Sequence, residues 1–410
     1  MDSVHTPLEL IERRKPENPV AIARPHRVEA AGRWFKQNFP GETFYAVKAN
    51  PSAWALDALW AAGVRGFDVA SEAEVKFVAE RFPEARLAFM HPVKSRGAIR
   101  RAYADYGVRI FVLDSVDELN KILEETNGAK DLTLIVRLAV SNEGSNLPLT
   151  QKFGVSIEEA PALLRLTRQA TEELMGVSFH VGSQCMRPTA YRQAMMQANR
   201  AIIQAGVVVD VVDVGGGFPA IYPGMDPAPM TAYMTEISEA FEAMSIAQNA
   251  QLWAEPGRAL VAEAGSIVAR VELRKGDALY LNDGAYGNLF DATHVNWRFP
   301  TKLLRSSRAK NAGFKLYGPT CDSMDMAIGP FMLPADIREG DYIELGMLGA
   351  YSTAMGTRFN GFGETEIVEC TDAPWASMFV EPAKVAVAAA AERNVVPMVR
   401  KPRKPRLQAR

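Results

Sequence analysis

The 410-residue chain balances 46 Lys and Arg against 48 Asp and Glu, and 48% of it is apolar. A formal net charge of −2 excludes the strongly basic face that nucleic-acid binding needs, and the length suits two domains or a barrel with an appendage. Cys185, Cys321 and Cys370 are scattered and lack CxxC spacing, which excludes a disulfide framework and fits a reducing cytoplasm.

Met1–Leu10 shows no basic-then-apolar signal pattern, and no apolar run reaches the roughly 20 residues that span a bilayer. A cytoplasmic protein without membrane or nucleic-acid partners is expected. After a polar leader, His26–Phe39 reads as an amphipathic helix with Val28, Ala31, Trp34 and Phe35 on one side. Next comes Phe44-Tyr45-Ala46-Val47-Lys48-Ala49-Asn50-Pro51, a short buried strand that delivers a lysine and stops at Asn-Pro. Such a lysine is either a surface residue at a strand end or a buried amine. Burial lowers a lysine pKa and makes it a Schiff-base nucleophile.

A rhythm then sets in. Strands are predicted at Thr43–Val47, Gly66–Val69, Arg86–Met90, Ile110–Leu113, Leu132–Leu138, Met175–His180, Val208–Val214 and Gln251–Ala254. Helical spacing separates them at Ser71–Arg81, Ser115–Glu125, Ile157–Thr171 and Thr189–Gln204. Near-continuous apolar strands alternating with helices imply a parallel sheet covered on both faces. Eight such units match a closed (β/α)8 barrel, with a doubly wound open sheet as the competing architecture. The interrupting polar residues favour the barrel. Lys48, Asp68, Arg137, His180, the glycines after Asp213, and Glu255 each fall at the carboxyl end of a different predicted strand. In a barrel those ends share one rim, where active sites are built.

Past Gly265 the texture changes to strands with turns and little helix: Ser266–Leu273, Ala278–Asn282, Phe314–Gly318, Asp341–Leu345 and Thr365–Cys370. A second, mostly antiparallel β domain is expected. The domain plan is therefore an N-terminal segment over 1–25 that later joins the β domain, a barrel over 26–262, the β domain over 263–372 and a tail over 373–410. The tail holds an Ala-rich stretch (Val385–Ala391) and Pro-interspersed Arg and Lys, which cannot form a core, so disorder is expected there.

The motifs carry chemistry at named positions. Asp213-Val214-Gly215-Gly216-Gly217 places three glycines after a buried strand, so successive backbone N–H groups can face an anion such as phosphate. A tight turn without a ligand reads equally well. Glu255-Pro256-Gly257-Arg258 sets a carboxylate three residues from a guanidinium suited to phosphate, or else an internal ion pair. The carboxylate could also hold a heteroaromatic nitrogen protonated. His180 ends another strand in an imidazole that could stack on a flat ring. Cys321-Asp322 lies on a Gly-Pro turn in the β domain, where the thiol could donate or take a proton. Asp322 and Asp291 would suit a cationic substrate end. Metal binding is not expected, since neither histidines nor cysteines cluster. A lysine, a phosphate cradle, a carboxylate for a ring nitrogen and an imidazole for a ring face together make the inventory for pyridoxal 5'-phosphate.

With these motifs in place, the chain resembles the fold-type III pyridoxal-phosphate decarboxylases of basic amino acids, and within them the ornithine-decarboxylating enzymes. The likeness runs from about Thr43 to Gly363. It rests on Tyr-Ala-Val-Lys-Ala-Asn, Asp-Val-Ala-Ser-Glu-Ala-Glu, Lys-Phe-Gly, His-Val-Gly-Ser, Gly-Gly-Gly-Phe-Pro, Glu-Pro-Gly-Arg, Gly-Pro-Thr-Cys-Asp and Gly-Ala-Tyr. The resemblance implies an alanine racemase-like barrel followed by a β domain. It implies Lys48 as the Schiff-base residue, Glu255 at the pyridinium nitrogen and His180 on the ring face. Gly217, Arg258, Ser183 and Tyr351 would hold the phosphate, with Gly215 and Gly216 also among the cofactor-binding residues and Asp68 and Arg137 supporting the cofactor. It also implies a homodimer with shared active sites. Cys321 from the partner would reprotonate Cα, Asp322 with Asp291 would bind the distal amine, and Lys152 would pair with Asp325 across the interface. The implied reaction is decarboxylation of L-ornithine to putrescine, with L-lysine to cadaverine as a second activity. Arginine or diaminopimelate decarboxylation and a non-catalytic partner-binding role are the alternatives.

Overall fold

In the computed structural model, which describes residues 1–141, 144–147, 152–295 and 297–379, eight parallel strands close into a barrel. They are Glu42–Ala46 (β1), Gly66–Val69 (β2), Arg86–Phe89 (β3), Ile110–Leu113 (β4), Thr133–Arg137 (β5), Met175–Ser178 (β6), Val211–Asp213 (β7) and Gln251–Ala254 (β8). Each pairs with the next, β6 bonds β7 through Gly176 and Val211, and β8 bonds β1 through Trp253 and Glu42, which completes the ring. The open-sheet alternative is thereby removed. Several strands are shorter than expected. Val208 is 65% exposed and lies outside β7, because Asp210 ends the preceding loop by accepting the Met175 N–H and pairing with Arg168.

The helices on the outside are Pro25–Asn38 (α1), Ala53–Ala61 (α2), Glu72–Arg81 (α3), Arg96–Ala104 (α4), Val116–Glu125 (α5), Ala160–Ala170 (α6), Thr189–Ala205 (α7) and Met230–Glu242 (α8). Serine caps start three of them: Ser71, Ser95 and Ser115 accept the N–H of Glu74, Ala98 and Glu118, satisfying donors that the first turn leaves free. Two apolar layers result. The larger lies between strands and helices and includes Tyr45, Phe67, Phe89 and Phe111. The smaller fills the barrel interior with Phe44, Ile110, Val112, Ile135, Val211 and Trp253, the Phe44 and Trp253 rings 4.8 Å apart. This plug closes the bottom of the barrel and leaves the opposite rim for polar groups.

A second sheet is built on Gly265–Lys275 (β9), which pairs antiparallel with Ala278–Leu281 (β10), Tyr342–Leu345 (β13) and the N-terminal strand Val20–Ala23. Asn311–Tyr317 (β11) and Met326–Pro334 (β12) extend it, and Glu366–Cys370 (β14) lies parallel to Val20–Ala23. Sequence reading gave no strand at Met326–Pro334 or Val20–Ala23. The first is interrupted by Gly329-Pro330, normally a break signal. The second is four buried residues without alternation. The expected Ala-rich segment and basic tail from Val380 onward fall outside the described residues.

Candidate active site

Most of the expected site residues converge on one cavity of about 230 Å³, lined by Lys48, Arg137, His180, Ser183, Gly216, Gly217, Glu255, Arg258 and Tyr351 among others, whereas Asp68 and Gly215 are not part of its lining. Lys48 sits in a single helical turn directly after β1. That turn is held from two sides: Tyr45 Oη donates to Asn50 O at 3.0 Å, and Tyr351 N donates to Ala49 O at 2.8 Å. Asn50 Nδ2 also reaches Gly349 O, so the loop carrying Tyr351 is tied to the lysine turn.

Lys48 Nζ donates to Asp68 Oδ2 at 2.9 Å. The lysine side chain is 43% exposed, its accessible surface opening on the cavity, whereas Asp68 is buried in β2. Burial works against the ammonium, but Asp68 and Glu255 outweigh it and hold the amine above the usual lysine range. The expectation of a lowered lysine pKa is therefore corrected for the cofactor-free protein: two carboxylates, absent from the octapeptide itself, reverse its sign. Glu255 is pushed well above its ordinary value by burial, then by Asp213 and Asp68. Asp213 is raised to about 6, chiefly by burial, although its Oδ1 accepts the Gly215 N–H at 2.8 Å. His180 is driven well below the usual histidine value by burial and by Arg137 and Lys48, so its ring is neutral. Its Nδ1 accepts the Gly182 N–H at 3.0 Å.

Gly215 and Gly217 adopt φ of +67° and +104°, a left-handed backbone that favours glycine. A Cβ on Gly215 would lie 2.1 Å from Phe179 O, and one on Gly217 would lie 2.6 Å from Gly182 O. The triple glycine is thus dictated by geometry at the cavity wall. Arg258 lines the same cavity and is buried, its guanidinium 4.9 Å from the Tyr351 ring and 5.2 Å from the Trp297 ring. Nη1 donates to Tyr222 Oη at 2.9 Å, and both Nη atoms meet Asp291.

Two sequence assignments change here. Asp291 is 4% exposed, does not line the cavity, and spends its charge on Arg258, so it presents no open carboxylate to a cationic substrate. Asp325 was expected to pair with Lys152 between subunits. It is buried instead, accepting from Ala285 N, Thr320 N and Thr320 Oγ1, and so shapes the loop that carries Cys321. Cys321 and Asp322 line a separate surface cavity of about 560 Å³ with Tyr280, Tyr317 and Phe362. Asp322 Oδ2 accepts from Tyr286 Oη at 2.5 Å, and the Cys321 side chain is exposed. No residue lines both cavities.

His91, absent from the residues expected at the site, also lines the Lys48 cavity, as do Met90, Phe153 and Phe218. His91 follows β3 at the same rim level as the other polar residues, so the signal used for them applied to it as well.

Residues 26–262 match the family described as "Pyridoxal-dependent decarboxylase, pyridoxal binding domain". The chain belongs to this family. It is similar to a lysine/ornithine decarboxylase from Selenomonas ruminantium, 32% identical over 353 residues, covering 84% of this chain and 87% of that one. Among solved structures it resembles an arginine decarboxylase of Paramecium bursaria Chlorella virus bound to agmatine (TM-score 0.80, 28% identity, covering 88% and 98% of the two chains). It also resembles a lysine/ornithine decarboxylase from Vibrio vulnificus in complex with cadaverine (TM-score 0.78, 28% identity, covering 90% and 100%).

The residues present fit the family's pyridoxal phosphate. Among the described residues, Arg258 Nε and Asp68 Oδ1 are buried polar atoms without a hydrogen-bond partner. A Cβ on Gly216 would lie 2.8 Å from Glu255 O and 3.1 Å from His180 Nε2, so the glycine stretch has no room for side chains. An anion at one end and a protonated nitrogen near the carboxylates at the other would satisfy both.

Proposed function

We propose that this protein decarboxylates L-ornithine to putrescine and CO2, with L-lysine to cadaverine as a second activity, in a reducing cytoplasm. The observation that carries this reading is Lys48, an amine in the cavity 2.9 Å from a buried carboxylate, with Glu255 and the Gly216–Gly217–Arg258 wall around the same space. Bound pyridoxal phosphate supplies an electron sink for the pair left on Cα when CO2 departs.

The chain's own groups divide the remaining work. Lys48 is the attachment amine, and Asp68 holds it in place and takes up its charge. Glu255, whose carboxyl is reluctant to stand ionised and alone, would pair with a protonated ring nitrogen. His180, neutral and buried, would pack against the ring face without adding charge. Gly216, Gly217, Ser183, Arg258 and Tyr351 would hold the phosphate, Gly215, whose N–H is given to Asp213, would shape the turn that presents them, and Arg137 offsets the carboxylates at the floor.

Among the described residues, the cavity lining holds no thiol and, besides Glu255, no carboxylate to read a distal amine. Cys321 and Asp322 therefore serve a second copy, in a homodimer whose sites are shared. Support comes from the surface around them, where Met324, Met355, Phe359 and Phe362 are 40–69% exposed. A cluster of that kind beside a functional loop marks an interface. Cys321 of the partner subunit would return a proton to Cα, and Asp322 of the partner subunit would face the distal ammonium.

A second reading, arginine as substrate, is favoured by the likeness to the viral arginine decarboxylase bound to agmatine. The test is CO2 release by the purified protein with pyridoxal phosphate, comparing L-ornithine, L-lysine, L-arginine and meso-diaminopimelate. Release from ornithine, with or without lysine, supports the proposal. Release from arginine or diaminopimelate alone overturns the substrate assignment and leaves the cofactor chemistry standing.

A further inference from the structure

Seven of the eight barrel strands have a job for the polar group at their rim. β1, β2, β5, β6, β7 and β8 supply the groups assigned above, and Asp114 after β4 is occupied in accepting the Gly154 N–H at 2.9 Å. β3 supplies His91, which lines the Lys48 cavity with no role assigned. Its loop is rigidly placed. Buried Lys94 donates to His91 O at 3.0 Å and Val112 O at 2.6 Å and pairs with Glu118 at 2.9 Å. His91 Nδ1 accepts the Val93 N–H at 3.1 Å, which leaves the ring proton on Nε2. The ring meets Phe153 edge-on at 5.2 Å.

The surroundings decide what this donor would meet. Burial lowers the imidazole pKa, and Lys94, Lys152 and Lys48 add to this against the opposing Val93 hydrogen bond; with Lys48, Arg137 and Lys152 lining the same cavity, His91 is a neutral donor in a positive sector. The distal ammonium of a basic amino acid is repelled from such a sector. The other charged end, the α-carboxylate, is attracted to it. The neighbouring cations are partly engaged: Arg137 is offset by Glu255 and Asp213, and Lys152 rests 5.0 Å from the Phe153 ring. A neutral hydrogen bond also has a chemical merit here. A close ion pair would stabilise the carboxylate in the ground state more than in a transition state that is losing it as CO2.

We infer that His91 is a substrate-binding residue that donates from Nε2 to the α-carboxylate of the amino acid and so orients the bond to be broken. This rests on the decarboxylase reading above. The test uses the cofactor-loaded protein and two ligands, the basic amino acid and its diamine product, which keeps the distal amine and lacks the carboxylate. His91→Phe preserves the ring and its contact with Phe153 and removes both nitrogens. It is expected to raise KM for the amino acid roughly 10- to 100-fold, the range for a lost hydrogen bond to a charged group. Diamine affinity by titration calorimetry and cofactor absorbance are expected to be unchanged. His91→Asn, whose amide can accept from Val93 and still donate, is expected to recover most of the KM. An unchanged KM, an equal loss of affinity for amino acid and diamine, or loss of cofactor in His91→Phe would each overturn the inference. A wild-type protein that neither turns over a basic amino acid nor binds a diamine overturns the functional reading itself.

Discussion

Removing Asp291 separates two accounts of the phosphate end of the site. Arg258 and Asp291 are each 4% exposed and joined through both Nη atoms, so the pair is a buried one. Deleting one partner of a buried pair leaves an uncompensated charge and destabilises by about 3–5 kcal/mol. Asp291→Asn keeps the shape and one acceptor, and Tyr222 Oη still accepts from Nη1, so the lower end of that range is expected. Asp291→Ala should reach the upper end. With a denaturant slope near 3 kcal/mol per molar, the urea midpoint of the cofactor-free protein should fall by on the order of 1 M. Inorganic phosphate, as an alternative partner for the freed guanidinium, should then restore more stability to the variant than to the wild type. Urea titrations of both proteins, with and without phosphate, make the comparison. Equal midpoints together with a raised KM for ornithine would refute this reasoning and return Asp291 to the substrate pocket.

Lys48→Ala should lose the absorbance of covalently held pyridoxal phosphate, and a spectrum identical to wild type would remove Lys48 as the attachment point. Mixing Lys48→Ala with Cys321→Ala chains should restore about a quarter of wild-type activity if random heterodimers carry one intact site of two. No recovery, with subunit exchange confirmed, would place both residues in the same working site of one chain. The buried, neutral His180 predicts a pH effect on the cofactor-free protein. Its folded pKa lies well below the unfolded value of about 6.5, so below that pH the unfolded chain binds the extra proton and stability falls on acidification. The difference between wild type and His180→Gln should therefore shift against the wild type as pH drops below about 6.5. A difference that stays constant from pH 7 to 5 would show that His180 does not titrate on unfolding.

Much of this was legible in the chain because period and punctuation are local. Gly66–Val69, Ile110–Leu113 and Gln251–Ala254 form strands at the residues where apolar runs mark them, since a strand buried on both faces needs no more than four such residues here. The single rim followed from asking where the polar interruptions fall. What stayed hidden depends on partners distant in sequence. The Arg258–Asp291 pair spans 33 residues, and Asp325 is taken up by the Ala285 N–H from 40 residues away. The direction of the Lys48 pKa depends on Asp68 and Glu255, which its own octapeptide does not contain. His91 was readable on the rim argument and was passed over.

Charge at the two ends of the cavity explains why the site is built from unlike parts. At the floor, the Asp68, Asp213 and Glu255 carboxylates face Lys48 and Arg137, three potential anions against two cations. The imbalance falls on Glu255 and Asp213, whose raised pKa values mean that the cofactor-free cluster resists carrying all three charges. A cation arriving at Glu255 supplies the missing charge, and a protonated pyridine nitrogen is such a cation. At the other end the Arg258 charge is already matched by Asp291, so an incoming phosphate cannot depend on that guanidinium alone. In the proposed loaded site, backbone N–H groups of the glycine stretch would share in holding it. If Lys48 is the attachment point, as proposed, it would need no separate counter-ion in the loaded site, and the neutral His180 imidazole would add no charge beside the ring.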